Sequence, residues 1–369
     1  MFVDAVPVGV DHPHTEGSPS LLRKMLPGAV ISLAFTAFFV LGIHWEDLRQ
    51  VPSRVDPTQI LLAAGVLFLE FPLRALRWRV LLLPLQQTSS RPPLSLPHLL
   101  RITLIGYLAN LLLPARAGEL VRPAIASRDG GLPLPAMIVL CVFERVFDIV
   151  GLVGVLVSTA WLLPQAGAVH LSTTEMAWLS TTTRMLAGLS LAALVGLFTF
   201  SLRAQAMRPW VEAAAAHLPG PVGRLTLRLF GATVQGLWAF RGGWGPVLAG
   251  LLSLLIWFNG GLAIWILMSA FGIILPWAAA GFLQVTIALA VAPPQLPGFI
   301  GLFQFATQKT LQVWGVDIGL AQGFAMAFWL VSFAPLMVTG GIALWSSRLS
   351  LTTLLRELRD QLPRDPTPP

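Results

Sequence analysis

Long apolar runs separated by short polar segments make up most of this chain. Six of them are long enough to cross a bilayer, which needs about 20 consecutive apolar residues. These runs cover residues 26–43, 58–83, 135–163, 185–202, 246–271 and 319–346. In lipid, a helix satisfies its own backbone polar groups, whereas an open strand does not. The pattern therefore predicts an all-α polytopic membrane protein with six full spans.

Two further apolar segments, 98–128 and 276–310, are interrupted by proline and glycine. The first contains GYLANLLLPARAGELVRP, and the second contains ALAVAPPQLPGFIGLFQ. Both begin like membrane helices but break too early to cross, so we predict two re-entrant hairpins. Broken segments at corresponding places in two halves of a chain are a sequence indication of a transporter binding site.

The positive charges predict how these elements are oriented. The chain is 55% apolar and 11% charged, with a net charge of +7. Most arginines lie in short loops, which favours the positive-inside rule over nucleic-acid binding. Both termini are predicted to be cytoplasmic, in the inner (plasma) membrane of a bacterium. Each half then has two spans, one hairpin and one span, and the halves have inverted topology.

The predicted organisation has a polar tail, two membrane repeats and an amphipathic end. The segments are the tail 1–25, the first repeat 26–163, an external loop 164–184, the second repeat 185–346 with a cytoplasmic interfacial segment 203–245, and the tail 347–369.

Charged side chains occur where the membrane makes them costly. The third span contains Glu144, Arg145 and Asp148 within five residues, and ionised groups at this depth need partners or water. The expected partners follow the first break: Arg116, Glu119 and Arg122. Two interpretations remain open and are compatible: an ion-pair network that holds the hairpin, and a polar chamber for a charged ligand group.

The second span carries Glu70, Arg74 and Arg77 on one helical stripe, followed by Trp78 and Arg79. We expect Glu70 to pair with Arg74. The three arginines are predicted to form a lipid-facing basic collar that meets anionic head groups. The alternative is a direct contribution to a substrate path.

The second hairpin is apolar apart from its glutamines, and Pro297, Gly298 and Gly301 interrupt it. A helix that restarts at Gly298 would direct its N–H groups toward the middle of the membrane, where they suit a phosphate or carboxylate. The alternative is a packed corner without a ligand. Asn110 is expected to cap freed backbone, and Asn259 to join two helices.

Other chemistry finds no support in the sequence. The six histidines are scattered without metal-ligand spacing, and Cys141 is the single cysteine. Nucleotide-binding loops, nucleophile elbows and dinucleotide fingerprints are missing from the sequence. We therefore expect no metal, no cofactor and no enzymatic activity.

Three motifs resemble a known family. NLLLPARAGELVRP, ERVFD and PPQLPGFIGLFQ are similar to the flippase-like membrane region of lysylphosphatidylglycerol synthases, in the same order and across about residues 26–346. The resemblance implies a lipid translocase fold with two re-entrant hairpins and a central cavity for an anionic or aminoacylated head group. The matching positions, together with Gln304, give the predicted substrate-binding residues: Asn110, Arg116, Glu119, Arg122, Glu144, Arg145, Asp148, Pro297, Gly298, Gly301 and Gln304.

Two departures from the family pattern qualify this expectation. The third motif usually continues to an acidic residue where Gln304 stands, which puts ion coupling there in doubt. The 369-residue chain also leaves no room for a soluble transferase domain, so a stand-alone membrane member is expected.

The leading hypothesis is a lipid flippase or transporter whose partners are a membrane lipid, the bilayer and an enzyme of lipid biosynthesis. The alternatives are an intramembrane lipid-modifying transferase with Glu119, Glu144 or Asp148 as general base, and a non-catalytic subunit of a lipid or cell-envelope pathway.

Overall fold

The computed structural model describes residues 55–87, 89–113, 118–162, 206–236, 243–292 and 297–347, with single helical positions between 181 and 203. Over these residues the chain is helical and has no strand. The predicted span 26–43, almost all of the span 185–202, both tails and Arg116 lie outside the described residues.

The described helices fall into two groups along the chain. The first group consists of α1 (Pro57–Phe68), α2 (Glu70–Gln86), α3 (Leu96–Leu112), α4 (Gly118–Gly130) and α5 (Leu134–Leu162). The second group consists of α6 (Gly220–Gly236), α7 (Gly245–Ala270), α8 (Trp277–Ala290), a 3₁₀ turn (Pro297–Phe299), α9 (Leu302–Val313) and α10 (Ile318–Ser346).

Helix lengths support a multi-pass membrane protein. Among the described residues, α1 and α2 together, α7 and α10 are long and apolar enough to cross a bilayer. With its 29 residues, α5 is about 43 Å long at 1.5 Å per residue, although it carries charges. By contrast, α3 and α8 have 17 and 14 residues, which is less than the roughly 20 that a span needs.

The breaks after α3 and α8 agree with the predicted interruptions at 98–128 and 276–310. On which side of the membrane each pair of helices enters and leaves remains a prediction, as do the count of six spans and the inverted topology.

Local sequence explains where the first and last of these helices begin. Asp56 caps α1 by accepting a hydrogen bond from the Thr58 N–H at 2.8 Å, and Pro57 follows at the first helical position. Asp317 caps α10 in the same way, with the Gly319 N–H at 2.9 Å. Aspartate is favoured there because its carboxylate satisfies N–H groups that lack a partner within the helix.

Small residues bring α5, α7 and α8 close together. The Trp257 indole of α7 packs directly on Gly151 of α5, and Thr159 of α5 packs on Gly281 of α8. Glycine at a helix interface permits close backbone approach, which is the usual way in which membrane helices gain packing energy. Asn259 contributes the predicted polar link, because its Nδ2 donates to the Val66 oxygen of α1 at 2.7 Å.

The two groups of helices pack against each other rather than forming separate bundles. α7 contacts α1, α2 and α5, while α10 packs on α3 and α1. A space between the groups is thus enclosed by both, and it contains the candidate site.

Part of the predicted interfacial segment 203–245 is helical, at 206–216 and in α6, which packs on α5. Its place at the membrane surface remains a prediction.

Candidate functional site

Two carboxylates one turn apart on α5 form the centre of the charged cluster. Glu144 is completely buried and Asp148 nearly so. Glu144 accepts hydrogen bonds from Arg122 of α4, through its Oε2, and from Arg77 of α2, whose Nη2 lies 3.4 Å from Oε1. The predicted pairing of Arg122 with the third span is confirmed. The two arginines offset the cost of burying this carboxylate.

Asp148 is held by three arginines. Its Oδ1 accepts from Arg77 Nη1 at 2.8 Å and from Arg74 Nη1 at 3.3 Å, and its Oδ2 accepts from Arg145 Nη1 at 3.2 Å. The Glu70–Arg74 pair predicted from their spacing is confirmed, with Glu70 Oε1 accepting from Arg74 Nε at 2.6 Å.

The prediction of a basic collar is wrong for two of its three members. Arg74 and Arg77 are 9% and 1% exposed, and their guanidinium groups point inward to α5. Arg77 also donates to the Ser253 hydroxyl of α7 at 2.7 Å, which links the two groups of helices. Of the three arginines, only Arg79 is exposed. The reason is energetic: the buried carboxylates of α5 require compensation, and arginines one turn apart on α2 supply it.

Aromatic rings and a glycine support the arginines. The Arg122 guanidinium lies 4.7 Å from the centre of the Trp78 ring, and that of Arg74 lies 5.4 Å from the Tyr107 ring. Cation–π contacts of this kind are strongest where water is excluded. Gly106 of α3 leaves room for the stem of Arg122, because a Cβ at Gly106 would lie 3.0 Å from the Arg122 Cβ.

After the first break, α4 begins at Gly118, in close contact with α3. A side chain at Gly118 would overlap the Gly106 oxygen and the Asn110 backbone nitrogen, so α4 can start against α3 only with glycine here. The Asn110 Oδ1 is buried and has no hydrogen-bond partner among the residues that the structure describes. The expected capping of freed backbone by Asn110 stays a prediction, because the backbone that follows the break lies outside the described residues.

The described ionised groups of the cluster balance in charge. Four arginines and four carboxylates take part: Arg74, Arg77, Arg122, Arg145, Glu70, Glu119, Glu144 and Asp148. The loosest pair is Arg145 with Glu119, at 3.8 Å, where the side chains are 43% and 37% exposed. Ligand groups can therefore reach this pair more readily than the pairs beneath it.

A cavity of about 310 Å³ adjoins the open side of this cluster. Its polar lining comes from Glu70, Arg74, Glu119 and Arg145, with Asn110 and Tyr107 from α3. Its apolar lining includes aromatic rings from both groups of helices: Phe68, Phe71, Phe299, Phe303, Phe328 and Phe333. The cavity thus combines charged and apolar side chains in one lining.

The second break, between α8 and α9, contains a tight turn before the next helix begins. α9 begins at Leu302, so the predicted restart at Gly298 is wrong. Gly298, Phe299 and Gly301 have φ values of 80°, 56° and 92°, which carry the chain through a tight turn instead. Gln304 Oε1 accepts from the Gly301 N–H at 2.7 Å, so this N–H is satisfied from within the chain. A ligand anion is not needed to satisfy it.

A tryptophan closes the same turn from α10. Its indole, Trp329 Nε1, donates to the Gly298 oxygen at 2.7 Å. Pro297, Gly298, Gly301 and Gln304 therefore belong to a packed turn whose Phe299 reaches the cavity. This arrangement matches the alternative of a packed corner more closely than that of an anion site.

The structure thus brings together five of the predicted site residues, Glu119, Arg122, Glu144, Arg145 and Asp148, while Asn110 adjoins the same cavity. Sequence reasoning missed the inward direction of Arg74 and Arg77, the role of Ser253, and the cavity residues Trp257 and Gln284. The regular spacing of Glu70, Arg74 and Arg77 was the available signal, since a charged stripe over eight residues can face another charged helix as readily as lipid.

Comparison with known proteins agrees with the resemblance. The family described as the lysylphosphatidylglycerol synthase TM region matches residues 25–340. The chain belongs to this family. It is also 27% identical over 366 residues to the protein named "Glycosyltransferase AglD" of Haloferax volcanii, covering 92% of this chain and 57% of that protein. The chain therefore spans little more than half the length of this relative. No solved structure matches it.

These comparisons indicate a function related to membrane lipids or glycans, and they correct one expectation. The absence of donor-binding motifs led us to expect no enzymatic activity. A relative named as a glycosyltransferase contradicts that expectation. The motif argument failed because it covers soluble-type folds, whereas a membrane region can belong to a lipid-modifying protein without those motifs.

Proposed function

We propose that this protein moves a lipid between the two sides of the membrane and holds the head group in the central cavity. The observation that carries this proposal is a cavity at the junction of the two helix groups that is lined by both charged and aromatic side chains. A lipid is amphiphilic in the same way. Charged groups at membrane depth mark substrate paths more often than structural positions.

The size of the cavity suits a head group alone. At about 310 Å³, it lies at the lower end of the roughly 300–1,000 Å³ range of small-molecule sites. The acyl chains would remain in the bilayer. Rocking of one helix group against the other, as in other transporters built from two halves, would then expose the head group to either side.

Arg145 and Glu119 are the residues proposed to contact the head group. Glu144 and Asp148 are occupied by buried arginines, so exchanging their partners would leave a charge uncompensated. Arg145 and Glu119 are partly exposed and joined at 3.8 Å. Arg145 can receive a phosphate in bidentate geometry, and Glu119 can receive the amine of an aminoacylated head group.

A transferase is the second candidate, and the glycosyltransferase relative favours it. Of the three carboxylates predicted as general bases, Glu144 and Asp148 are buried in ion pairs, whereas Glu119 is 37% exposed and lines the cavity. Glu119 is therefore the base that this candidate requires. Translocation and transfer are not exclusive, because both would use the same bound lipid.

A proteoliposome assay tests translocation directly. The purified protein should equilibrate a fluorescent anionic lipid between leaflets, and Arg145→Gln should slow this at least tenfold. Arg79→Gln is the matched control, because Arg79 is exposed and does not line the cavity. Translocation at the wild-type rate by Arg145→Gln would contradict the role of Arg145. Lipid conversion that depends on an added sugar donor and on Glu119, without leaflet exchange, would favour the transferase.

We also propose that the chain lies in a bacterial inner membrane with both termini cytoplasmic. A cysteine introduced at Gly243, an exposed position just before α7, should resist membrane-impermeant thiol reagents in intact cells. The control is the same variant in opened cells, where labelling should be complete. Labelling in intact cells would reverse the proposed orientation.

A further inference from the structure

A second, smaller cavity lies where the ends of three helices meet. It has a volume of about 170 Å³ and lies between the first part of α3, the last part of α4 and the end of α10. It is separate from the central cavity, although α3 lines both. His98 and Asn110, one from each lining, are about 18 Å apart along α3 at 1.5 Å per residue.

The carbonyl groups at the two helix ends beside this cavity already have hydrogen-bond partners within the chain. At the end of α4, Arg91 Nη1 donates to the Arg128 oxygen at 2.5 Å. At the end of α10, the hydroxyl groups of Ser346 and Ser347 donate to carbonyl oxygens of the same helix, at 3.0 and 2.6 Å. These carbonyl groups therefore do not require a cation in the cavity.

The side chains of the cavity carry more positive than negative charge. Asp129 is shared between two partners, because its Oδ2 lies 2.9 Å from His98 Nε2 and its Oδ1 accepts from Arg128 Nε at 2.9 Å. Arg101 is exposed and forms no hydrogen bond or ion pair with the residues that the structure describes. Two arginines and one carboxylate thus line the cavity, so its net charge is positive whether or not His98 is protonated.

A neighbouring tryptophan indicates the depth of this cavity in the membrane. Trp345 directly precedes the two serines of α10 and is 83% exposed. Exposed tryptophans are enriched at the level of the lipid head groups. The apolar part of the lining, Ile102, Ile105 and Ile125, is buried between α3 and α4. The charged part is therefore at a depth where lipid phosphates are found.

We infer that this cavity binds the phosphate group of an anionic phospholipid from the surrounding leaflet, with Arg101 as its main contact. Basic pockets between membrane helices bind anionic head groups, and arginine holds phosphate through paired hydrogen bonds. The volume is below the roughly 300–1,000 Å³ of small-molecule sites, so the phosphate enters while the rest of the lipid stays in the bilayer. The inference does not rest on the proposed function, because it concerns a different cavity.

Two lipids that differ in net charge test the inference. Phosphatidylglycerol is anionic, whereas phosphatidylcholine has the same phosphate but no net charge. Native mass spectrometry of the purified protein in detergent gives the affinity of each lipid. Arg101→Gln should reduce the preference for phosphatidylglycerol about fivefold, the effect of one arginine near an anionic lipid. Arg101→Glu should reduce it further, because a carboxylate repels the phosphate.

Controls separate this site from the central cavity and from a general effect of charge. Arg79→Gln removes an exposed arginine that lines neither cavity and should keep the wild-type preference. Arg101→Gln is measured both in the wild type and in Arg145→Gln, which lacks the proposed head-group contact of the central cavity. A fivefold loss in both backgrounds supports a separate site. A preference that survives Arg101→Gln in either background would overturn the inference.

Inorganic phosphate tests whether the ligand is a lipid. At the same concentration as phosphatidylglycerol, it should not displace the lipid, and displacement would overturn the assignment to a lipid. Without added lipid, Arg101→Gln should melt at the wild-type temperature, since Arg101 is exposed and has no ion-pair partner among the described residues. The loss of binding then reports on the site, whereas a failure of Arg145→Gln to slow lipid movement would concern the proposed function alone.

Discussion

At each of the two breaks in the membrane region, the helix that follows is held in place by different interactions. At the first, between α3 and α4, charged side chains fix the returning helix: Arg122 reaches Glu144 on α5, and Gly118 permits close contact with α3. At the second, between α8 and α9, backbone conformation and uncharged hydrogen bonds do this work, through Gly298, Gly301, Gln304 and Trp329.

This difference indicates which break offers groups that can bind a ligand. In the second turn, Gln304 and Trp329 already form hydrogen bonds with the backbone. In the charged cluster, the loosely paired Arg145 and Glu119 can exchange each other for a ligand group. We therefore assign the head group to the side of the first break, and the apolar wall to the second. Substitutions on both sides test this division, in order of decreasing effect on stability.

Glu144→Gln should have the largest effect on stability. Loss of this charge leaves Arg122 buried without its carboxylate partner, whereas Arg77 keeps Asp148. Breaking a buried pair in this way costs about 3–5 kcal/mol. The measurement is thermal unfolding of the purified protein in detergent. Glu212→Gln is the control, because Glu212 pairs with Arg208 at 2.8 Å on an exposed face. Equal melting temperatures for both variants would mean that the cluster does not hold the first break.

Gly118→Ala and Gly298→Ala compare the two glycines. A methyl group at Gly118 overlaps backbone atoms of α3, and such overpacking costs about 1–3 kcal/mol. At Gly298 the nearest atom is 3.4 Å away, so only the left-handed backbone conformation is penalised, by about 1 kcal/mol.

Thermal unfolding measures both glycine variants against Gly250→Ala. Gly250 lies within α7, and outside the local backbone of that helix no described atom lies within 4 Å of the position that an alanine methyl group would occupy there. This control should therefore be neutral or slightly stabilising. A larger loss at Gly298 than at Gly118 would reverse the comparison of the two breaks.

Gln304→Leu should cost about 1–2 kcal/mol, because the buried Gly301 N–H loses its acceptor. Gln304→Glu should be tolerated, since a carboxylate accepts from the same N–H and suits a helix N-terminus. Hydrogen exchange at Gly301, followed by mass spectrometry, would report the loss of protection in the leucine variant alone. Full protection in that variant would show that another group satisfies this N–H.

Arg145→Gln should have the smallest effect on stability and a large effect on lipid movement. The Arg145 side chain is 43% exposed, and Asp148 keeps Arg74 and Arg77 when Arg145 is lost. Its loss should therefore cost no more than that of an exposed pair, about 0–1 kcal/mol. A melting temperature close to that of the wild type, together with slow lipid exchange, would separate binding from folding. A loss of stability comparable to that of Glu144→Gln would place Arg145 among the structural residues.

The sequence by itself determined the helical membrane class, the two broken segments and the family. Apolar runs of about 20 residues leave few other structures in lipid, and proline with glycine interrupts helices wherever they stand. It also identified Glu144, Asp148 and Arg122 as charges that needed partners, because an unpaired charge in the membrane is costly.

Only the tertiary structure decided which partners those charges have. A charged stripe on a helix can face lipid head groups or another helix, and spacing does not distinguish the two. The packing of α2 on α3 and α7 brings Arg74 and Arg77 within reach of the carboxylates of α5. The turn at Gly298 receives a hydrogen bond from Trp329, which is 31 residues away in sequence. The cavity itself exists only where two distant groups of helices meet, so no local pattern in the chain specifies its walls.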